Sequence, residues 1–404
     1  MLRRPVLLTV LTLLLGACTP TVLAPVAPVA TARPTWSAAL RDRASAVLAH
    51  DLVGVAATTS PTAGPAVRDL GLRTRALPIT EWTYQIQADQ PGPAPNERAV
   101  TALLRYRLRA DLSDVTSERR ILLRQAASPS MGWQVLSDDP AGAAQPWDLG
   151  VVSIRLAGSA VLLATPGPVA GPADRADPAG LAADAARAVT AVTGVWGPGW
   201  SQEAVVVATY GASNLARLVG RPTSGVSGLV AVSTADRVYV DLSAYALLSP
   251  AGRQVLITHE LTHVATRSGA DPALPQWLKE GFADYVGFLG SGIGTRAAAA
   301  ALLAQVRRTG PPAALPPDAA FDPSVSGAVT AGYSGGDAYA AAWVACSLVA
   351  SKVGPAGLVR VYRAASAGRG SPSADVGAAL RQVTGWSLAR WTSVWRDQLT
   401  RLAG

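Results

Sequence analysis

The residues best equipped for chemistry lie in one short run, His259-Glu260-Leu261-Thr262-His263. Two histidines four apart on a helix share a face, so both imidazoles can reach one metal ion. The glutamate after the first can then act as general base toward a water activated by that ion. The chain has only three histidines, His50, His259 and His263, so this pattern is not a by-product of a histidine-rich composition. Two ligands are not enough, because a catalytic zinc takes three protein ligands and keeps one position open. His50 lies far away in the sequence, so the third ligand is expected to be a carboxylate. The run Pro275-Gln276-Trp277-Leu278-Lys279-Glu280-Gly281-Phe282-Ala283-Asp284 supplies one. Pro275 opens a second helix, Glu280 lies a turn in, and Asp284 follows four residues later on the same face. Glu280 can ligate, while Asp284 can accept the outer N–H of a liganding histidine, orienting the ring and making it a better donor to metal.

H-E-L-T-H followed by W-L-K-E-G-F-A-D resembles the gluzincin branch of zinc metallopeptidases, in particular peptidase-MA-like proteins with HExxH and a downstream E-G-x-A-D. The resemblance covers roughly residues 203–370. It implies Zn²⁺ held by His259, His263 and Glu280, Glu260 as general base, and Asp284 as the hydrogen-bond partner of a liganding histidine. The gap from His263 to Glu280 is shorter than in thermolysin-like enzymes, which sets the loop Thr266 to Leu274 apart from theirs.

The elements that must position this centre begin near Val151. Strands are expected over 151–156 and 160–164, a helix over 173–193, a β-branched strand over 203–210 and a short helix over 212–219. Residues 229–233 and 238–242 form a hairpin, whose second strand is the expected sheet edge for pairing with an extended peptide. Ser249 and Pro250 give the favoured N-cap and first-turn pair for the helix carrying the histidines, which Ser268-Gly269 ends. The last third reads as helices over 295–308, 338–352, 355–367 and 376–402. The segment from Gly336 to Pro355 is similar to the part of the family that packs beneath the metal helices. Its Tyr339, or Tyr333 just before it, can donate to the oxyanion of a tetrahedral intermediate, and a plain core tyrosine is the equal alternative.

Upstream, Trp36 to Ala57 reads as two helices. Four alternating runs follow, at Trp82/Tyr84/Ile86, Leu104/Tyr106/Leu108, Ile121/Leu123 and Trp133/Val135. Helices followed by consecutive antiparallel strands predict an α+β unit with a curved sheet, an order similar to NTF2-like domains. His50 and Asp51 are its titratable candidates. Being adjacent on a helix they face apart, so a non-catalytic accessory role is expected. Residues 140–149 read as the linker to the second unit.

Met1 to Ala17 has a basic start and an apolar run too short to span a bilayer as a stable helix. Leu15-Gly16-Ala17-Cys18 resembles the lipobox of bacterial lipoproteins. That implies cleavage before Cys18, its lipidation, and an extracytoplasmic protein anchored to a membrane by residues 18–34, a proline-rich tether. Cys346 is the only other cysteine and sits in an apolar, core-like setting. The net charge of +8 is spread over scattered arginines without a basic run or an aromatic-interleaved stripe, which excludes a nucleic-acid-binding surface.

The expectation is thus an α+β protein. An NTF2-like accessory domain spans 35–149, and a zincin-like metallopeptidase domain with a mainly helical C-terminal part spans 150–404. The activity that the resemblance implies is hydrolysis of peptides or proteins. The alternative is a surface-exposed binding or scaffold lipoprotein with a structural or vestigial zinc site.

Overall fold

The computed structural model describes residues 35–128, 132–167, 177–234, 236–322, 333 and 335–404. The expected signal segment, Cys18 and the tether lie outside the described residues. Residues 34–404 form one compact unit, and the chain is α+β with two sheets.

Helices α1 (Trp36–Leu48), α2 (Leu52–Ala57), α3 (Pro65–Arg68) and α4 (Leu70–Thr74) come first. Thr35 and Asp51 cap α1 and α2, Asp51 accepting from the N–H groups of Val53 and Gly54, both at 3.0 Å. Asp51 is therefore a capping residue, and His50 before it adopts a left-handed turn, φ 54°. Strands β1 (Ile79–Pro91), β2 (Glu97–Leu108), β3 (Val115–Gln125) and β4 (Trp133–Pro140) then make an antiparallel meander in sequence order. Alternation sends Trp82, Leu104, Tyr106, Leu108, Ile121, Leu123 and Val135 inward against the helices.

The expected linker is a packed turn. Trp147 within it is buried against the rings of Trp82 and Tyr106 at 4.9 and 4.8 Å. Asp148 accepts two hydrogen bonds from buried Arg119, at 2.8 and 3.0 Å.

The second sheet contains β5 (Ser153–Ala157), β6 (Ala160–Ala164), β7 (Ala204–Thr209), β8 (Ala231–Ser233) and β9 (Arg237–Asp241), in the order β5-β6-β7-β9-β8. Helices α5 (Pro178–Trp196) and α6 (Ala212–Val219) cross over between the parallel pairs β6/β7 and β7/β9. The hairpin forms, but β9 is taken up between β7 and β8, so the free edge is β8, not the strand at 238–242. Parallel pairing to β7 claims the outer side of β9, and no local pattern announces such a crossover.

One apolar cluster joins the two sheets. It runs from Leu104, Tyr106 and Trp147 to Leu163, Val205, Val207 and Tyr239. At its margin Arg237 is buried with Asp111, donating from Nε and Nη2 at 3.1 and 2.6 Å, and from Nη1 to the Tyr106 hydroxyl at 2.6 Å. Beyond the sheets lie α7 (Leu242–Tyr245), α8 (Pro250–Thr266), α9 (Gln276–Phe288), α10 (Thr295–Ala298), α11 (Ala300–Thr309), α12 (Gly335–Val353), α13 (Pro355–Ser366), α14 (Pro372–Thr384) and α15 (Leu388–Ala403). The single helix expected over 295–308 is broken at Ala299, whose ψ of 17° leaves the helical range. Among the described residues no single helix is long and apolar enough to cross a membrane.

Two glycines let α9 approach its neighbours. A Cβ on Gly281 would lie 2.6 Å from the Ala342 carbonyl carbon of α12. One on Gly287 would lie 2.9 Å from the Val255 carbonyl oxygen of α8. Any side chain at either position would wedge the helices apart.

Candidate metal centre

Helix α8 starts as the sequence predicts, with the Ser249 hydroxyl accepting from the Gly252 N–H at 3.1 Å and Pro250 at the first position. It ends where Arg267 turns left-handed, φ 54° and ψ 32°, and its N–H returns to the carbonyls of His263 and Val264. A non-glycine residue rarely takes that conformation, and its effect here is to fold Ser268 back beneath the helix. Pro275 occupies the N-cap of α9 rather than its first turn. Close packing at Gly281 and Gly287 then sets α9 against α8.

This pair of helices brings three ligand-type atoms together. His259 Nε2 and His263 Nε2 are 3.0 Å apart, and Glu280 Oε2 lies 3.2 Å from the first and 3.3 Å from the second. A tetrahedral ion with bonds of about 2.0–2.1 Å has ligand–ligand edges of about 3.3 Å. The outer face of each ring is held. His259 Nδ1 donates to Asp284 Oδ1 at 2.8 Å, and His263 Nδ1 meets the buried Ser268 hydroxyl at 2.7 Å. With Nδ1–H committed to a carboxylate, His259 in its neutral form aims a lone pair from Nε2 at Glu280. Three such atoms crowd together favourably only around positive charge. Two imidazole nitrogens and one carboxylate oxygen suit a borderline cation such as Zn²⁺ better than Ca²⁺ or Mg²⁺, which take oxygen ligands. Among the described residues this is the one group of three His, Cys, Asp or Glu side chains so arranged.

The electrostatics point the same way. Burial favours a neutral His259 ring, but Asp284 and Glu280 outweigh it and raise its proton affinity well above the histidine norm. Burial also works to raise the pKa of Glu280, yet His263 and His259 overcome it and hold that carboxyl far below the usual range. The enclosure is arranged for a positive charge between these groups, a place that a proton or a metal ion can take.

Glu260, buried at 8 % exposure, borders the same cleft as the triad, and among the described residues its carboxylate has no hydrogen-bond partner. Tyr339 also borders that cleft, its ring centroid 6.4 Å from that of His259. Burial raises its pKa, with Glu280, Asp284 and Glu260 adding to the effect, so the hydroxyl keeps its proton. Tyr333 is committed elsewhere, donating to the Ala314 carbonyl at 2.5 Å. Of the two tyrosines left open by the sequence, only Tyr339 has its ring in the cleft. Cys346 is buried, and burial with Asp284 nearby pushes its thiol up, leaving it protonated and packed.

The cleft has a volume of about 1080 Å³ and reaches from the triad to the edge strand β8. Ser113, from the loop between β2 and β3, reaches its rim and donates to Asp236 in the β8–β9 turn. The loop between two strands of the first sheet therefore contributes to this border. The role of Ser268 beside His263 was not legible in the sequence. Its only trace is its place just past the helix end, which the spacing marks as a stop. No protein-family model and no curated protein matches this chain. The functional reading accordingly stands on the geometry.

Proposed function

We propose that this protein is a zinc-dependent peptidase. The observation that carries the reading is the convergence of His259, His263 and Glu280 at tetrahedral edge spacing, with Glu260 unpartnered in the adjoining cleft. Zn²⁺ held by these three residues would supply Lewis acidity toward a scissile carbonyl and a lowered pKa for a water beside it. Glu260 takes the proton from that water and delivers it to the leaving amine, which suits a buried carboxylate at the cleft wall with no competing donor. Asp284 and Ser268 keep the two rings in the tautomer that turns Nε2 inward. Tyr339 donates its retained proton to the developing oxyanion. The open edge of β8, bordering the cleft, offers backbone N–H and C=O groups to an extended peptide.

In this reading the helix pair α8/α9 beside the five-stranded sheet is a zincin-like core. The helices and meander of 36–140 are an NTF2-like unit fused to it through the shared apolar cluster. Lipid attachment at Cys18 would hold both outside a bacterial cell, at the membrane surface.

The test uses a chain beginning at Thr35, measured for bound metal and for cleavage of a peptide library. One zinc per chain, cleavage that chelation abolishes, and retention of zinc with loss of cleavage in Glu260→Gln are expected. Full activity in Glu260→Gln would remove the mechanism, and a chain that binds no metal would remove the site.

A further inference from the structure

The cleft is lined by more charge than the proposed chemistry uses. Outside the metal centre its carboxylates are engaged. Asp236 accepts from Ser113, Asp318 accepts from the Gln276 N–H at 2.8 Å at the start of α9, and Asp322 has a partner of its own. Its cations are not. Arg221, Arg267 and Lys279 all border the cleft, and among the described residues the side chain of none has a hydrogen bond, ion pair or aromatic ring as partner. The chain's other lysine, Lys352, sits over the Trp386 ring at 3.8 Å, so Lys279 is the one left unengaged.

Two of these cations are tied to the metal centre by the backbone. Lys279 directly precedes Glu280 in α9 and is only half exposed. Arg267 is the left-handed residue that turns Ser268 back toward His263, so its side chain departs from the point where α8 ends. Arg221 follows the C-terminus of α6. Unpaired cations facing water at large need no explanation, but three around one concave space offer N–H donors that none of the cleft's own carboxylates has taken. Both guanidinium and ammonium groups are suited to a carboxylate, the arginines through paired N–H donors.

We infer that the cleft selects peptides bearing a carboxylate, received by Lys279 and Arg267 beside the metal centre and by Arg221 at the cleft border. The inference rests on the peptidase reading for the word substrate, but not for recognition itself. An acidic side chain and a free C-terminal carboxylate share this chemistry, and the experiment separates them.

Full-length Glu260→Gln protein loaded with zinc is titrated into fluorescein-labelled alanine–glycine peptides, read by anisotropy at low salt. The peptides carry a single central Glu or Gln, each with a free or an amidated C-terminus. The peptide with a carboxylate in the accepted position is expected to bind about tenfold more tightly than its neutral isostere, with the preference shrinking as salt rises. A Glu-over-Gln difference assigns the side chain as source, and a free-over-amidated difference assigns the chain end. Adding K279Q or R267Q to that background should bring the ratio toward one. Equal binding of all four peptides would overturn the inference, as would a preference that survives K279Q, R267Q and R221Q combined. Wild-type protein that binds with this preference but cleaves nothing would sink the peptidase reading and leave carboxylate recognition standing. Cleavage without any charge preference would do the reverse.

Discussion

Replacing Asp111 by asparagine tests how firmly the two sheets are joined. Asp111 and Arg237 lie on opposite sides of the junction with side chains 0 % and 2 % exposed, so their pairing is unscreened by water or salt. Asp111 accepts two bonds from Arg237, at 3.1 and 2.6 Å, and one from the Leu108 N–H at 2.7 Å. Asparagine keeps the shape and one acceptor but leaves Arg237 buried with the Tyr106 hydroxyl at 2.6 Å and the Tyr106 ring, 5.2 Å away, as compensation. Breaking one side of a buried ion pair costs about 3–5 kcal/mol. The retained acceptor puts Asp111→Asn near the lower end, at about 3 kcal/mol, and Asp111→Ala near the upper, at about 5 kcal/mol. Replacing both partners, as D111L/R237M, should recover most of the loss, since no charge then remains buried. Urea unfolding followed by tryptophan fluorescence measures this as a lower midpoint at constant slope, and the wild type, D111L, R237M and D111L/R237M close a double-mutant cycle. A loss under about 1 kcal/mol for Asp111→Asn, or a double variant as unstable as the singles, would refute the clamp.

The candidate metal centre and its support make further predictions. Ser268→Ala frees the outer nitrogen of His263 and should weaken zinc binding about 10- to 100-fold, measured by competition with a chelator, and Asp284→Asn should do the same through His259. Tyr339→Phe should lower kcat roughly 10²- to 10³-fold with little change in KM. Tyr333→Phe, which loses only its bond to the Ala314 carbonyl, should instead cost about 1 kcal/mol of stability and leave turnover alone. Gly281→Ala puts a methyl group against the Ala342 carbonyl and should destabilise the fold by about 1–3 kcal/mol, seen as a lower Tm, with zinc affinity falling as α9 shifts.

Much of the candidate centre was legible because its signals are local. Four-residue spacing puts His259 beside His263 and Glu280 beside Asp284 wherever the two helices lie, and two-residue alternation marks all four strands of the meander. What escaped depends on residues distant in sequence. Ser268 reaches His263 only because Arg267 accepts a left-handed conformation, for which an arginine gives no warning. The edge fell to β8 because β7 pairs with β9, a choice made by the α6 crossover rather than by either strand. Arg237 reads as the end of a polar turn, and its burial becomes intelligible only with Asp111, 126 positions earlier, beside it. Nor does any glycine or proline announce the break at Ala299. The turn at 140–149 looks like a linker by composition, yet Trp147 and Asp148 are claimed by Trp82 and Arg119.

A strand at the edge of a sheet can template pairing with other chains. β8 is three residues long, Ala231–Ser233, too short to template a stable run of intermolecular ladder bonds. The turn that follows it carries Asp236 at the cleft border, a charge that discourages stacking of apolar strands. As a sheet edge, β8 thus lacks the length that self-association needs. Lengthening it with β-branched residues would be expected to turn that edge into a seed for aggregation.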